Sequence, residues 1–211
     1  MMAVARRGKV AYLFERYCAE QELTAMLLCI GPGNQEVRGL PDLVNDWITA
    51  THGATAEARA GHPASLFLML TKFDMEFEQK AGASEDPAQR WSIRLSSSLL
   101  DFFGKQHDWP RCWDPQGGFR NVFWLRNPHF KQKAIFDYDG DRERQVRDAE
   151  QAYVASLRAG FLHNPDVRRH FADPARAWDA ALRLNDGGVS YLVEQLSPVC
   201  QPELKRRQVT R

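Results

Sequence analysis

Residues 65–77 read SLFLMLTKFDMEF. From Leu66 to Leu70 every position is apolar, so neither face of a strand there is suited to water. Such a run belongs in a strand covered on both faces, as in a parallel sheet. Thr71, Lys72, Phe73 and Asp74 follow at once, with no glycine or proline between. In open α/β sheets, ligands bind beyond the carboxyl ends of the strands. The tetrapeptide is therefore either a binding loop or the punctuation of a strand end, with Asp74 helping to start the next helix.

Working outward, Leu23 to Ile30 (LTAMLLCI) is another apolar run, stopped by Gly31-Pro32-Gly33. It reads as a strand covered on both faces, and a short buried helix has the same composition. Val122 to Leu125 is a third, halted by Arg126-Asn127-Pro128. Amphipathic helices are predicted before and between them. Gly8 to Gln21 carries Val10, Leu13, Phe14 and Tyr17 at helical spacing. Gly39-Leu40-Pro41-Asp42 opens a helix with Leu43, Val44, Trp47 and Ile48 on one face, and a longer one surrounds Trp91, Leu95, Leu99, Leu100 and Phe103. This alternation predicts an α/β fold, a partial doubly wound parallel sheet of about three strands. Three strands are few, and the edge beside Leu23–Ile30 would stay unpaired unless something covers it. From Arg142 onward the spacing is helical, through Val146, Tyr153 and Leu157, then Val167 to Phe171, Trp178 to Leu184 and Val189 to Leu196. Residues 1–140 thus read as a partial α/β domain and residues 141–211 as a helical extension.

The 211 residues are 44% hydrophobic and 26% charged with a net charge of +1, a globular composition with no field suited to nucleic acid or anionic membrane. No apolar run approaches the ~20 residues that span a bilayer, and no apolar stretch follows the N-terminal arginines. A cytoplasmic location is the expectation. Cys18, Cys29, Cys112 and Cys200 are scattered and expected to be reduced thiols. His107, Asp108 and His129 lack metal-ligand spacing, and no metal site is predicted. Asp137, Asp139 and Asp141 hint at a calcium loop, but Arg142 stands where glycine is needed and Asp148 where the final glutamate belongs. They are expected at a solvated helix entrance. Ser96, Ser97 and Ser98 have no nucleophile elbow around them. Trp91, Trp109, Trp113 and Trp124 are expected to pack inside. Lys205-Arg206-Arg207 reads as a frayed tail.

Thr71-Lys72-Phe73-Asp74 also matches the [Asn/Thr]-Lys-x-Asp motif by which P-loop GTPases select guanine. An aspartate can accept from the guanine N1–H and 2-amino group, whereas adenine offers no donor there and would leave the carboxylate desolvated and unpaired. Longer phrases widen the resemblance: LFERY, ELTAMLLCIGPGNQEV, LPDLVNDWI, LFLMLTKFDMEF, LLDFFGKQHDWP and FWLRNPHFK. Together they resemble the putative bacterial virulence factor family of the SrfC type, from about Ala11 to about Leu184. Members of that family are large proteins with a GTPase-like P-loop domain near the N-terminus and long helical regions after it. The resemblance implies that Leu66–Leu70 precedes the guanine motif and that Val122–Leu125 is the last strand of such a domain. Thr71, Lys72 and Asp74 would then be guanine-binding residues. Arg126 and Asn127 would fall at a fifth motif, although the Ser-Ala-Lys form is missing.

The departures carry equal weight. The sequence has no GxxxxGK[ST], the loop that holds phosphates, and Asp137-Tyr138-Asp139-Gly140 is out of order for a D-x-x-G. GTP or GDP is thus a possible ligand, with Mg²⁺ only if a P-loop half is supplied elsewhere. GTP hydrolysis by this chain alone is not expected, and no catalytic residue is assigned. The expected partner is another protein or an upstream segment that completes the sheet. The alternative is a non-catalytic interaction or scaffold module that binds a partner protein.

Overall fold

The computed structural model describes residues 25–33, 39–78 and 87–200. The expected helix at Gly8 to Gln21 and the basic tail lie outside the described residues. Strands β1 (Met26–Ile30), β2 (Leu66–Leu70) and β3 (Val122–Trp124) form a parallel sheet in the order β1-β2-β3. Met26 pairs with Leu66 and Ile30 with Leu70, while Leu68 pairs with Val122 and Leu70 with Trp124.

All five residues of β2 are buried, which is why its sequence is apolar at every position. Leu66, Leu68 and Leu70 enter the main core, and Phe67 and Met69 enter a second cluster with Phe123 and Leu192 on the opposite face. β1 behaves differently. Leu28 and Ile30 are buried, but Leu27 is 48% exposed and Cys29 is exposed.

Helix α1 (Leu40–Thr51) starts at Gly39 and has Pro41 in its first turn, where a missing N–H costs nothing. It buries Val44, Trp47 and Ile48. The short helix α2 (Ala56–Arg59) is capped by the Thr55 hydroxyl, which accepts from the Ala58 N–H at 3.2 Å. Helix α3 (Pro87–Leu95) runs into one π turn at Ser96–Leu100.

After β3 the structure corrects the expectation of continuous helix from Arg142. Strands β4 (Phe136–Asp139) and β5 (Arg142–Val146) form an antiparallel hairpin, with Asp139 paired to Arg142 across Gly140-Asp141. Gly140 has φ +59°, as the first residue of such a two-residue loop requires. Two of the acidic residues here, Asp137 and Asp141, meet cations. Lys131 Nζ lies 2.6 Å from Asp141 Oδ1 and Arg147 Nε lies 3.8 Å from Asp137 Oδ1.

Four helices follow: α4 (Gln151–His163), α5 (Pro165–His170), α6 (Pro174–Leu182) and α7 (Val189–Leu196). Asn164 and Asp173 cap α5 and α6 by accepting from backbone N–H groups three residues on, each at 2.9 Å, with proline next in sequence. Leu157, Phe161, Val167, Phe171 and Trp178 belong to the same core as Leu66 and Trp124, so these helices close the core that the sheet opens. Trp91, Trp109, Trp113 and Trp124 are all buried, as expected. The Trp91 indole N–H donates to the Leu157 carbonyl at 3.2 Å, tying α3 to α4.

The outer edge of β3 is occupied at both ends. Asn121 bridges to Phe171, and the Arg126 N–H donates to the Gly187 carbonyl at 2.9 Å. A Cβ on Gly187 would lie 2.4 Å from the Arg126 carbonyl oxygen, and one on Gly188 2.5 Å from that of Trp124. Both glycines also have positive φ, so only glycine lets this loop press onto the strand.

Candidate functional site

At the end of β2 the chain reverses through Lys72, which has φ 60° and ψ 41°, a left-handed conformation uncommon outside glycine. The reversal sends Phe73 into the core and begins a 3₁₀ turn at Phe73–Phe77. Backbone bonds from both flanking strands fix it. The Thr71 N–H donates to the Ile30 carbonyl at 3.0 Å and the Phe73 N–H to the Leu125 carbonyl at 3.1 Å. Behind it, the buried Arg94 guanidinium donates to the carbonyls of Ile30 at 3.1 Å and Thr71 at 3.3 Å. Its Nε lies 3.1 Å from Glu76 Oε1. The loop is therefore rigid, and its brace comes from Arg94, which the sequence pattern did not single out.

Thr71, Lys72, Asp74, Arg126 and Asn127, the five residues predicted from sequence, line one cavity of about 530 Å³ together with Met75, Leu125 and Phe130. It lies beyond the carboxyl ends of β2 and β3. The Lys72 stem passes close to Gly31, where a Cβ would stand 3.7 Å from Lys72 Cδ. Phe130 is 58% exposed, an unusual position for a phenyl ring, and its N–H donates to the Asn127 carbonyl at 2.9 Å.

Asp74 is 2% exposed. Its Oδ2 accepts from the Asn127 backbone N–H at 3.1 Å, joining the loop after β2 to the loop after β3. Its Oδ1 is buried and has no hydrogen-bond partner among the described residues. Burial raises the Asp74 pKa above the usual carboxylate value, the Asn127 N–H and Arg126 oppose that rise, and Glu143 adds to it. Asp74 also stands in the first turn of the 3₁₀ segment Phe73–Phe77, where an acidic side chain suits the start of a helical turn.

The Arg126 guanidinium is engaged by protein groups. Its Nη1 and Nη2 both donate to the Glu143 carboxylate, the latter at 2.9 Å, and its Nε donates to the Ala181 carbonyl at 3.0 Å. Asn127 offers its backbone N–H to Asp74 and its side-chain oxygen to the His129 N–H at 3.1 Å. Glu143 is the residue that sequence reasoning missed, because a glutamate in RERQV carries no sign of burial.

His107 Nε2 lies 3.0 Å from Asp42 Oδ1 near the surface, and Ser98 bonds the Arg94 guanidinium. Among the described residues, no group of three His, Cys, Asp or Glu side chains could hold a metal ion. No helix among them is long and apolar enough to cross a membrane.

A family model described as putative bacterial virulence factor matches residues 2–211. The chain belongs to that family. Comparison with curated proteins and with solved structures finds no match to either. For this virulence-factor family member, functional inference rests on the cavity itself.

Proposed function

We propose that the cavity between the loops after β2 and β3 is a guanine-base site. The domain around it is read as GTPase-like and of the SrfC type, with its phosphate-holding loop supplied by another segment or chain. The observation that carries this reading is the buried Asp74 Oδ1, which has no hydrogen-bond partner among the described residues, at a cavity large enough for a purine. A buried acceptor left unpaired costs roughly 1–3 kcal/mol, which two donors on guanine would relieve and adenine would not. Lys72 and Phe130 supply a stem and a ring for the base to lie against, and Asn127 holds the reading carboxylate in place. Stacking on an aromatic ring contributes about 1–3 kcal/mol per base. Phosphoryl transfer depends on groups clustered around the phosphates. GxxxxGK[ST] does not occur in the sequence, so hydrolysis by this chain alone is not proposed.

Calorimetry with guanosine, GDP, GTP and ATP tests the site. Guanine ligands bind, ATP does not, and Asp74→Ala weakens guanosine binding by about tenfold or more, in line with the loss of the hydrogen bonds that the carboxylate accepts from guanine. Asp74→Asn moves the preference toward xanthosine, because an amide nitrogen can donate to the 2-carbonyl of xanthine. Equal binding of ATP, or no binding of guanosine, overturns the reading.

The second reading, an interaction module, is favoured by the exposed Leu27 and Cys29 on β1. A partner that completes the sheet at β1 while the chain ignores every nucleotide would select it.

A further inference from the structure

Behind the cavity, two buried carboxylates compete for one guanidinium. Arg126 Nη1 stands 3.8 Å from Asp74 Oδ1 yet hydrogen-bonds Glu143 Oε1, and Nη2 reaches Glu143 Oε2 at 2.9 Å. The Arg126 and Glu143 side chains are 0% exposed and that of Asp74 is 3% exposed. The paired, two-bond geometry gives the guanidinium to Glu143. Glu143 is itself held by three hydrogen bonds with Asn185. The Asn185 N–H donates to its Oε2 at 2.8 Å, its own N–H donates to Asn185 Oδ1 at 2.8 Å, and the Asn185 side-chain amide donates to its carbonyl at 2.9 Å. Arg126 is further fixed over the Phe136 ring at 4.4 Å. With Glu143 neutral, Asp74 becomes the nearest anion to Arg126. Tyr138 also faces this group, but its hydroxyl is engaged as acceptor for the Gln132 N–H at 2.8 Å.

We infer that Glu143 is a positioning residue, which keeps the Asp74 acceptor free for a ligand by holding Arg126 away from it. Only the identity of the ligand rests on the guanine reading.

The test compares the wild type with Glu143→Gln and with Glu143→Gln/Arg126→Gln, each checked for folding by near-ultraviolet circular dichroism and melting. The Asp74 carboxyl is titrated by carbon-13 NMR, and guanosine binding is measured by calorimetry. Glu143→Gln lowers the Asp74 pKa by about one pH unit or more and weakens guanosine binding about tenfold, as a direct hydrogen bond from Arg126 occupies an acceptor that had none. Adding Arg126→Gln reverses both effects. A double variant that binds worse than the single one, or an Asp74 titration unmoved in Glu143→Gln, overturns the inference. So does a wild-type Asp74 that titrates below the usual carboxylate range, a result that needs no variant. If the titrations move as stated while the wild type ignores guanosine, the guanine reading fails and the positioning role stands.

Discussion

His52 lies between the edges of two tryptophans, with ring centroids 5.4 Å from Trp47 and 5.3 Å from Trp113. Its Nε2 accepts from the Ser65 backbone N–H at 3.0 Å, which leaves the proton on Nδ1, 2.7 Å from the Thr51 hydroxyl. Burial, with help from His62 and Arg59 nearby, lowers its pKa from 6.5 to about 4. The folded protein therefore keeps His52 neutral, while the unfolded chain takes up a proton near pH 6.5. Stability is full above that value and is lost as the pH falls toward 4, by about 3 kcal/mol for a shift of this size. His170, buried and likewise lowered, adds in the same direction. Denaturation midpoints are expected to drop steeply between pH 6.5 and 4, and His52→Gln is expected to flatten that drop. An identical pH profile in the variant would contradict this account. Asp74 has the opposite sign, because its raised pKa makes the empty site less favourable once the carboxyl ionises. Thr71, Lys72 and Asp74 stand out in the sequence because their types and spacing match a base-reading pattern, and the fold brings the three to one cavity. His52 was not legible, because nothing in Thr51-His52-Gly53 announces two tryptophans and a distant serine.

Among the elements, the strands that could be read were those whose residues agree with their surroundings. β2 is apolar on both sides because both sides are covered. β5 has one fully buried residue, Glu143, and its single apolar residue, Val146, comes last, so the alternation that would mark a strand is written in charge rather than in hydrophobicity. The turn between Gly187 and Gly188 gives a sharper prediction about backbone. Gly187→Ala drives a methyl to 2.4 Å from the Arg126 carbonyl oxygen at φ +64°, whereas Gly61→Ala, at φ +79°, meets nothing within 4 Å. Gly61→Ala is expected to cost about 1 kcal/mol of conformational strain. Gly187→Ala adds a steric clash worth about 1–3 kcal/mol more. Melting temperatures that fall equally in both variants would refute the close approach. Arg126 sits directly on this turn, so Gly187→Ala also disturbs the cavity and should weaken any ligand that Asp74 holds.

At the scale of the whole molecule, the two faces of the sheet are unequally covered. α7 packs over β2 and β3 through Leu192, but Leu27 and Cys29 on β1 remain exposed, and no pairing to the outer edge of β1 is seen among the described residues. Unpaired, apolar strand edges recruit other strands. The isolated chain is accordingly expected to self-associate with rising concentration in light scattering. Leu27→Lys, a charge on that strand, should suppress it. A monodisperse wild type at all concentrations would remove the argument. GTP turnover above background, abolished by Asp74→Ala, would likewise contradict the expectation that this chain alone does not hydrolyse GTP.

The glycine turn at Gly187-Gly188 has a consequence for how the sheet can be extended. With Phe171 and Gly187 seated along β3, a strand arriving there would have to displace backbone already bonded, whereas no neighbour is paired to the outer edge of β1 among the described residues. The layer is thus a block with one finished side and one mating side. A complementing peptide designed to bind it should be written as a parallel neighbour of Met26–Ile30, and a tag or fusion is best kept away from that rim.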